Sequence, residues 1–419
     1  MNYKANLVTQ KLETSLFQDI FTPQLSRLID IFKKHNYELR IAGGAVRDLL
    51  LNMSPHDIDF ATTATPDQMK EFLKAEDIRM INLKGEKHGT ITCRIDEENF
   101  EVTTLRIDVE TDGRHAEVQF TTDWQLDALR RDLTINQLFL GFDGTVYDYY
   151  NGINDLREKK VRFVGDAGER IREDYLRILR YFRFYGRISE VENNHEAETL
   201  MAIKENVSGL SNISGERIWV ELKKILDGKY ATSLVKVIYD TGVSTHTGFP
   251  QNGNLKELDI VYERSKDLKP SPITLYSALL SDEEDAAEAK NRLKMSNEEL
   301  GLIRFIIKYR TLLPDENRLT WCQDSIYLEV PKKETKPTVE RVKELLKYMG
   351  DSETLKSFSD WTPPKFPNLG HKLLERGVKS GPTLGKILIQ LKEKWKESRY
   401  LYGEEELLEY AMKIKDKIK

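Results

Sequence analysis

Residues 41–63 read IAGGAVRDLLLNMSPHDIDFATT, and this stretch decides how the first third of the chain folds. A strand runs into Gly43-Gly44, and a helix starts at once. The two glycines let the backbone approach a ligand closely, and the free N–H groups of a helix start suit a phosphate. Arg47, one turn in, adds a forked positive charge aimed at the same phosphates. Asp57-Ile58-Asp59 then reads as a strand, where residues i and i+2 share a face, so both carboxylates address one site. Two hard oxygen ligands on one face suit Mg²⁺ held jointly with a triphosphate. Alone, a Gly-Gly is more often a tight turn and a DxD a solvated edge. The order strand–turn–helix–loop–strand, with Arg47 inside it, joins them into one expected site.

Working outward, Glu38–Ala42, Asp57–Thr63, Gly89–Arg94, Phe100–Thr104 and Thr145–Tyr149 have strand-like composition bounded by turn residues. Thr65-Pro66 opens a helix as N-cap and first helical position, and Asp143-Gly144 signals a hairpin before the last strand. Residues 105–120, LRIDVETDGRHAEVQF, are too irregular for a strand throughout and read as a mobile loop near the site. From about Asn151 the period becomes helical and stays so. Ser214 is expected to cap a helix through Arg217–Leu226 that stops at Gly228. Breaks fall at residues 247–254, at Lys269-Pro270-Ser271-Pro272 and, most strongly, at Trp361-Thr362-Pro363-Pro364. The class is α+β: a mixed α/β head on a long helical body.

The 419 residues allow two to four domains, and no run of 18 apolar residues appears, which excludes a membrane-spanning helix. A formal charge of −5 argues against indiscriminate nucleic-acid binding but leaves 64 Lys and Arg to form a local basic groove. Cys93 and Cys322 are far apart and form no CxxC unit, so neither a disulfide framework nor a zinc site is expected. The first 21 residues mix acids and bases and lack the Arg-rich look of a transit peptide.

The block EDYLRILR, residues 173–180, has a second face. As one helix, Ile171, Tyr175, Ile178, Leu179 and Phe182 form an apolar stripe, and Asp174, Arg177 and Arg180 fall within about 120° on the other side. The plain alternative is a solvated face with i, i+3 ion pairs. The chemical reading is sharper. A carboxylate accepts from an exocyclic amine while a guanidinium donates to the adjacent ring nitrogen. Cytosine and adenine present that edge; uracil and guanine do not, and would leave charged groups unpaired. In RRDLTINQLF (130–139), Asp132 and Asn136 are i, i+4 neighbours if helical, with a helix start carrying ordinary surface polars as the plain alternative. Glu101 is a candidate third carboxylate on a neighbouring strand, with a cross-strand ion pair as its alternative. His88 and His115 have no metal-ligand partners at useful spacing. Lys386, Lys392, Lys394, Lys396 and Arg399 line a helix near the end of the chain, a solvated face by default.

Through GG…DxD the chain resembles the nucleotidyltransferase superfamily, which includes poly(A) polymerases. Through GGAVRD and DIDFAT it resembles the class II CCA-adding enzymes (tRNA nucleotidyltransferases), nearest their eukaryotic mitochondrial and cytosolic type. RRDLTINQLF, DYYNGINDL (148–156), EDYLRILR and SGERIWVELKKIL (214–226) match further blocks in order, and together they span about half of the chain. The resemblance implies a five-stranded mixed-sheet head over residues 1–150, a helical neck over 151–230, a body over 231–330 and a tRNA-contacting tail over 331–419. It implies template-independent addition of CCA to the tRNA 3′ end from CTP and ATP, with pyrophosphate released. Two Mg²⁺ ions (or Mn²⁺ in their place) would sit on Asp57 and Asp59, with Glu101 as a further ligand. Nucleotide contacts would come from Gly43, Gly44, Arg47, Arg131, Asp132, Asn136, Asp174, Arg177, Arg180 and Arg183, with Arg131 on the triphosphate and Asp132 and Asn136 on the ribose. The tRNA acceptor and T arm would be the macromolecular partner, in the mitochondrial matrix or the cytoplasm. A bacterial-type poly(A) polymerase shares GG…DxD and Arg-Arg-Asp but tends toward a basic C-terminal extension. A non-catalytic tRNA-binding relative would be expected to lose one of the carboxylates, and both are present.

Overall fold

Ten strands fall within the first 150 residues of the computed structural model, which describes residues 7–81, 83–111, 116–327 and 337–417. His115 lies outside the described residues. The strands are β1 Val8–Lys11, β2 Leu39–Ala42, β3 Asp59–Thr62, β4 Arg79–Ile81, β5 Thr90–Ile95, β6 Glu98–Thr104, β7 Arg106–Thr111, β8 Ala116–Phe120, β9 Phe139–Leu140 and β10 Thr145–Asp148. Eight of them form one mixed sheet in the order β1-β10-β9-β2-β3-β6-β5-β4. All five expected strands are present, and three more extend the sheet beyond the expected five. β1 is exposed along its whole length and carries no alternation to read, while β4 and β9, at three and two residues, are too short to show a period.

β2 pairs antiparallel with β3 and β9, whereas β3 and β6 run parallel and set Asp59 beside Glu101. Ile41, Phe60, Ile91, Val102, Leu140 and Val146 are buried along the sheet. The Pro23–Lys34 helix buries Leu25, Leu28, Ile31 and Phe32. The Pro66–Ala75 helix opens as expected: Thr65 accepts from the Gln68 N–H, and the Gln68 side chain returns to the Thr65 N–H.

Residues 105–111 and 116–120 do not form an irregular loop. β7 and β8 pair as a separate two-stranded ribbon from Arg106 opposite Phe120, with a register shift between Asp108 and Glu110. Both strands alternate in sequence, with Ile107 and Val109 apolar on β7 and Ala116, Val118 and Phe120 on β8, so the period of two is present there. The ribbon leaves the main sheet at Leu105, whose N–H donates to Thr62 O.

The helical part begins at Gly152–Arg157. Asp174 does not share a helix with Arg177. The Ala167–Glu173 helix ends at Asp174, whose backbone is extended (φ −150°, ψ 104°), and a new helix runs Arg177–Ile188. The Asp174 side chain accepts from the Leu176 N–H at 3.1 Å and its carbonyl from the Arg177 N–H at 2.9 Å. An aspartate that satisfies the next turn's donors itself competes with the helix, and here it breaks it. Ile171, Ile178, Leu179 and Phe182 are buried as the stripe requires. Residues 130–139 also differ from a helix: Asp132 lies in a bend and Thr134–Asn136 is a single 3₁₀ turn. Ser214 stands at the N-cap of the Gly215–Leu226 helix, without a side-chain capping bond.

The chain divides into two compact units. The first comprises the described residues up to Gln251 with Arg292–Lys294, and the second Asn252–Asn291 with the described residues from Met295 onward. The second unit has one core around Phe305, Val342, Leu345, Leu346 and Phe358, and another around Leu373, Ile387, Leu391, Trp395 and Leu407. The stretch Trp361–Leu369 separates the helices Ser352–Asp360 and Gly370–Glu375. On the Pro382–Glu397 helix Lys396 is buried and paired with Glu393, so it does not belong to the exposed basic face. Cys93 and Cys322 are both buried and free, and burial pushes each thiol pKa up to about 12. Among the described residues no helix is long and apolar enough to cross a membrane.

Gly209 sits beneath the Tyr175 ring, where a Cβ would stand 2.1 Å from ring carbons. Gly209→Ala is expected to cost at least about 2 kcal/mol by overpacking. Tyr175→Ala in the same chain should recover part of that loss. Urea unfolding of the two single variants and the double variant checks it, and strictly additive losses would contradict the clash.

Candidate active site

Where β2 ends, Gly43 takes φ +67° and turns the chain into the Gly44–Leu50 helix. A Cβ there would meet Arg131 Nη1 at 3.0 Å and strain the backbone, so glycine is required. The turn forms one wall of a cavity of about 450 Å³. Gly43, Gly44, Arg47, Arg131, Asp132, Asn136, Asp174, Arg177, Arg180 and Arg183 all line it, together with Asp59. Sequence reasoning missed Arg130, Leu176, Phe184 and Arg217, which line it too. Arg130 and Leu176 sit next to expected residues, and Arg217 lies in the SGERIW block; no pattern marked Phe184. Seven arginines against three aspartates give the lining a positive balance, which suits a polyanion such as a triphosphate.

Nearly all of these charges are tied to protein partners. Arg47 is 4% exposed; its Nε donates to Asp48 Oδ1 at 3.0 Å and its Nη1 to Asn136 Oδ1 at 2.6 Å. Burial lowers its pKa, against the opposing pull of Asp48. Arg130 and Arg131 share Asp127, which is 1% exposed and is held below the usual carboxylate range by their charges despite its burial. Arg177 donates to Glu173 Oε2 at 2.6 Å and to the carbonyls of Arg170 and Arg130. Arg180 Nε reaches Asp132 Oδ2 at 2.6 Å, and Arg183 forks onto both oxygens of Glu221 at 2.9 and 3.0 Å. Arg217 donates to Asp174 Oδ2 at 2.7 Å.

Asp132 and Asn136 meet although no α-helix joins them. Asn136 Nδ2 donates to Asp132 Oδ1 at 3.2 Å, because the 3₁₀ turn folds the chain back on itself. Burial would raise the Asp132 pKa, but Arg180 and the bond from Asn136 hold it below the usual range.

Asp57 departs from the strand reading. β3 starts only at Asp59, and Asp57 lies exposed in the preceding bend and does not line the cavity. Pro55 and the Asn52–Ser54 turn region keep this segment from extending as a strand. The two carboxylates still feel each other. Asp59 keeps solvent access, yet desolvation by the surrounding protein raises its pKa; Arg131 opposes the rise and Asp57 adds to it. Glu101 stands in register with Asp59 on β6 and is exposed. Among the described residues no three His, Cys, Asp or Glu side chains converge closely enough to hold a metal between them, so Glu101 does not complete a three-carboxylate cluster. Asp57 and Asp59 remain a fit for Mg²⁺ that takes its other oxygens from phosphates and water, since that ion is commonly bound through one or two carboxylates. His88 accepts from Arg106 through its backbone carbonyl, as a structural group.

Comparison with known proteins places these features. Residues 39–162 match the family described as the poly(A) polymerase head domain, and residues 195–248 match one described as a probable RNA- and SrmB-binding site of polymerase A. The chain is 55% identical to the mitochondrial CCA tRNA nucleotidyltransferase 1 of Mus musculus, over 98% of this chain and 94% of that one. The Homo sapiens protein of the same name is 54% identical over the same shares. Among solved structures, the Bacillus stearothermophilus CCA-adding enzyme in complex with CTP superposes with a TM-score of 0.72 at 24% identity, covering 96% of this chain and 98% of that one. At that identity it is the fold that is shared.

The Asp59 geometry has a measurable consequence. Its folded pKa is raised, so its contribution to stability is fully present below the unfolded pKa and is lost as pH rises through the folded value. Asp57→Asn removes a neighbouring negative charge and should move the Asp59 titration to lower pH. Carboxyl-carbon NMR titration of the metal-free protein reads this directly; an unmoved Asp59 would mean that the two side chains do not interact.

Proposed function

The chain belongs to the CCA tRNA nucleotidyltransferase family, and on that premise we propose that the arginine-lined cavity binds CTP and ATP in turn for addition to the tRNA 3′ end. The protein is an enzyme that adds CCA to tRNA, and identity across nearly the whole chain sets aside the poly(A) polymerase and non-catalytic readings. The observation that carries the assignment of the site is the grouping of eleven sequence-selected residues, Asp59 among them, round one cavity.

In the proposed reaction the tRNA 3′-hydroxyl attacks the α-phosphate, a new O–P bond forms, and the α–β bridging bond breaks to release pyrophosphate. Gly43 and Gly44 would let the phosphates approach the backbone, and Arg131 would carry triphosphate charge. Asp132 and Asn136 would contact the ribose, whose 2′-hydroxyl both donates and accepts. Asp57 and Asp59 would hold Mg²⁺, two ions in the full proposal, which when bound supplies Lewis-acid stabilisation of charge on the reacting oxygens. Because the arginines are held in place before nucleotide arrives, little reorganisation is needed as charge develops.

For base choice, Asp174 would accept from the amine of cytosine or adenine and Arg177 would donate to the neighbouring ring nitrogen. Their separation onto a turn and a helix start lets them approach the base edge from different directions. The Arg217 bond leaves the Asp174 side chain oriented rather than free to rotate.

The four-part division into head, neck, body and tail is retained as part of the proposal, supported by the change to helices at Gly152. The mitochondrion is the proposed compartment, supported by the names of the mouse, human and zebrafish relatives.

Incubation with tRNA lacking its terminal CCA, CTP and ATP, followed by sequencing of the products, tests the site through its variants. Asp57→Ala and Asp59→Ala should each reduce incorporation of both nucleotides by more than about 100-fold while tRNA binding persists. Activity within tenfold of the unaltered enzyme would remove them from the metal site. Exchange of the base-reading pair, Asp174→Arg with Arg177→Asp, should lower the rate and shift preference toward UTP and GTP. Competition among the four triphosphates on one tRNA reads the shift; an unchanged preference in a folded, active variant would make 174 and 177 structural ion-pair partners only.

A further inference from the structure

Two residues outside the cavity close a ring of bonds around it. Arg187 Nη2 donates to both oxygens of Asp48 at 3.0 Å. Asp48 accepts from Arg47, Arg47 donates to Asn136, and Asn136 donates to Asp132. Arg180 then returns from Asp132 to the helix that carries Arg187. Arg180 and Arg187 are seven residues apart, about two helical turns, and therefore on nearly the same face of the Arg177–Ile188 helix. Phe184 lies between them, with the guanidinium carbons of Arg47, Arg180 and Arg183 at 4.9, 5.7 and 4.5 Å from its ring centre. The ring thus joins one helix to the Gly44–Leu50 helix at Asp48 and to the bend at Asp132. Arg177 and Arg183 hold the first half of that helix through Glu173 and Glu221, and Arg187 adds a bond near its C-terminal end.

We propose that Asp48 and Arg187 are positioning residues for nucleotide selection, holding the helix that begins at Arg177 in register with the phosphate and ribose contacts. Neither lines the cavity, so neither touches nucleotide. Asp48 is 8% exposed and lies between two guanidiniums, so its loss leaves Arg47 without an anionic partner. Arg187 is the accessible member, with a side chain 40% exposed, and it can be altered without opening the core. This inference rests on the reading of Arg47, Asp132 and Asn136 as nucleotide contacts.

The test uses the full-length enzyme and the variants Arg187→Gln, Arg187→Lys, Asp48→Asn and the double variant Arg187→Gln/Asp48→Asn. Arg187→Gln should raise KM for CTP and ATP by about tenfold and increase incorporation of UTP and GTP, with tRNA affinity and kcat much less affected, as expected for a small misplacement of contacts. Arg187→Lys keeps the charge on a shorter, differently shaped donor, and should raise KM by only about threefold. The double variant should be no worse than Asp48→Asn, because both substitutions cut one connection. A lowered Tm with unchanged KM and unchanged preference among the four nucleotides would overturn the proposal, as would strictly additive effects in the double variant. If Arg187→Gln does not fold, Arg187→Lys and Asp48→Asn decide the matter by the same KM and preference measurements. Asp132→Ala separates the two levels. A large KM increase there beside a normal Arg187→Gln overturns the positioning role alone, whereas a normal KM in Asp132→Ala overturns the reading of the cavity and this proposal with it.

Discussion

A guanidinium does not give up its proton at any pH a protein meets, and the catalytic unit turns on that constraint. Seven of them face one cavity. Like charges at such density repel, and each would cost several kcal/mol if buried without a partner. The unit answers with carboxylates: Asp48, Asp127, Glu173 and Glu221, none of which lines the cavity, and Asp132, which does, each take one or two guanidiniums. A chain with a formal charge of −5 can therefore present a positive cavity, because part of its acid is spent within one bond of its base.

The same arrangement ties secondary structure to chemistry. Asp127 sits on the Trp124–Leu129 helix, accepts from the backbone N–H of Arg106 where the β7–β8 ribbon begins, and holds Arg130 and Arg131. Arg130 in turn offers its carbonyl to Arg177. The ribbon, the Trp124–Leu129 helix and the start of the Arg177–Ile188 helix are thus joined through a few buried ions. Glu221 does the same between the Gly215–Leu226 helix and Arg183. Removing either partner of such a pair strands the other's charge.

The sequence was most legible where one residue type has one reason to be present. Gly43 is needed at a positive φ, Thr65-Pro66 opens a helix, and the apolar stripe from Ile171 to Phe182 marks a buried face. It was least legible where short polar side chains redirect the backbone. Asp174 reads as a helix-face residue until its carboxylate is seen to accept from the Leu176 N–H and end the helix. Asp57 reads as a strand residue because spacing alone does not report the bend before β3. The ribbon strands Arg106–Thr111 and Ala116–Phe120 alternate, but in pieces of only six and five residues, and β1 is an edge with no buried side. Partners far apart in sequence, such as Arg187 with Asp48 at a separation of 139 residues, leave no local pattern at all.

The two buried thiols have a practical consequence. The whole sequence contains only Cys93 and Cys322, and thiolate, the species that maleimides and iodoacetamides attack, is scarce at neutral pH for groups titrating near 12. A cysteine introduced on the surface would be the one fast-reacting nucleophile of its kind. Fluorophores or spin labels can therefore be attached to the native background, without first replacing two core side chains and repairing the cavities that replacement would leave.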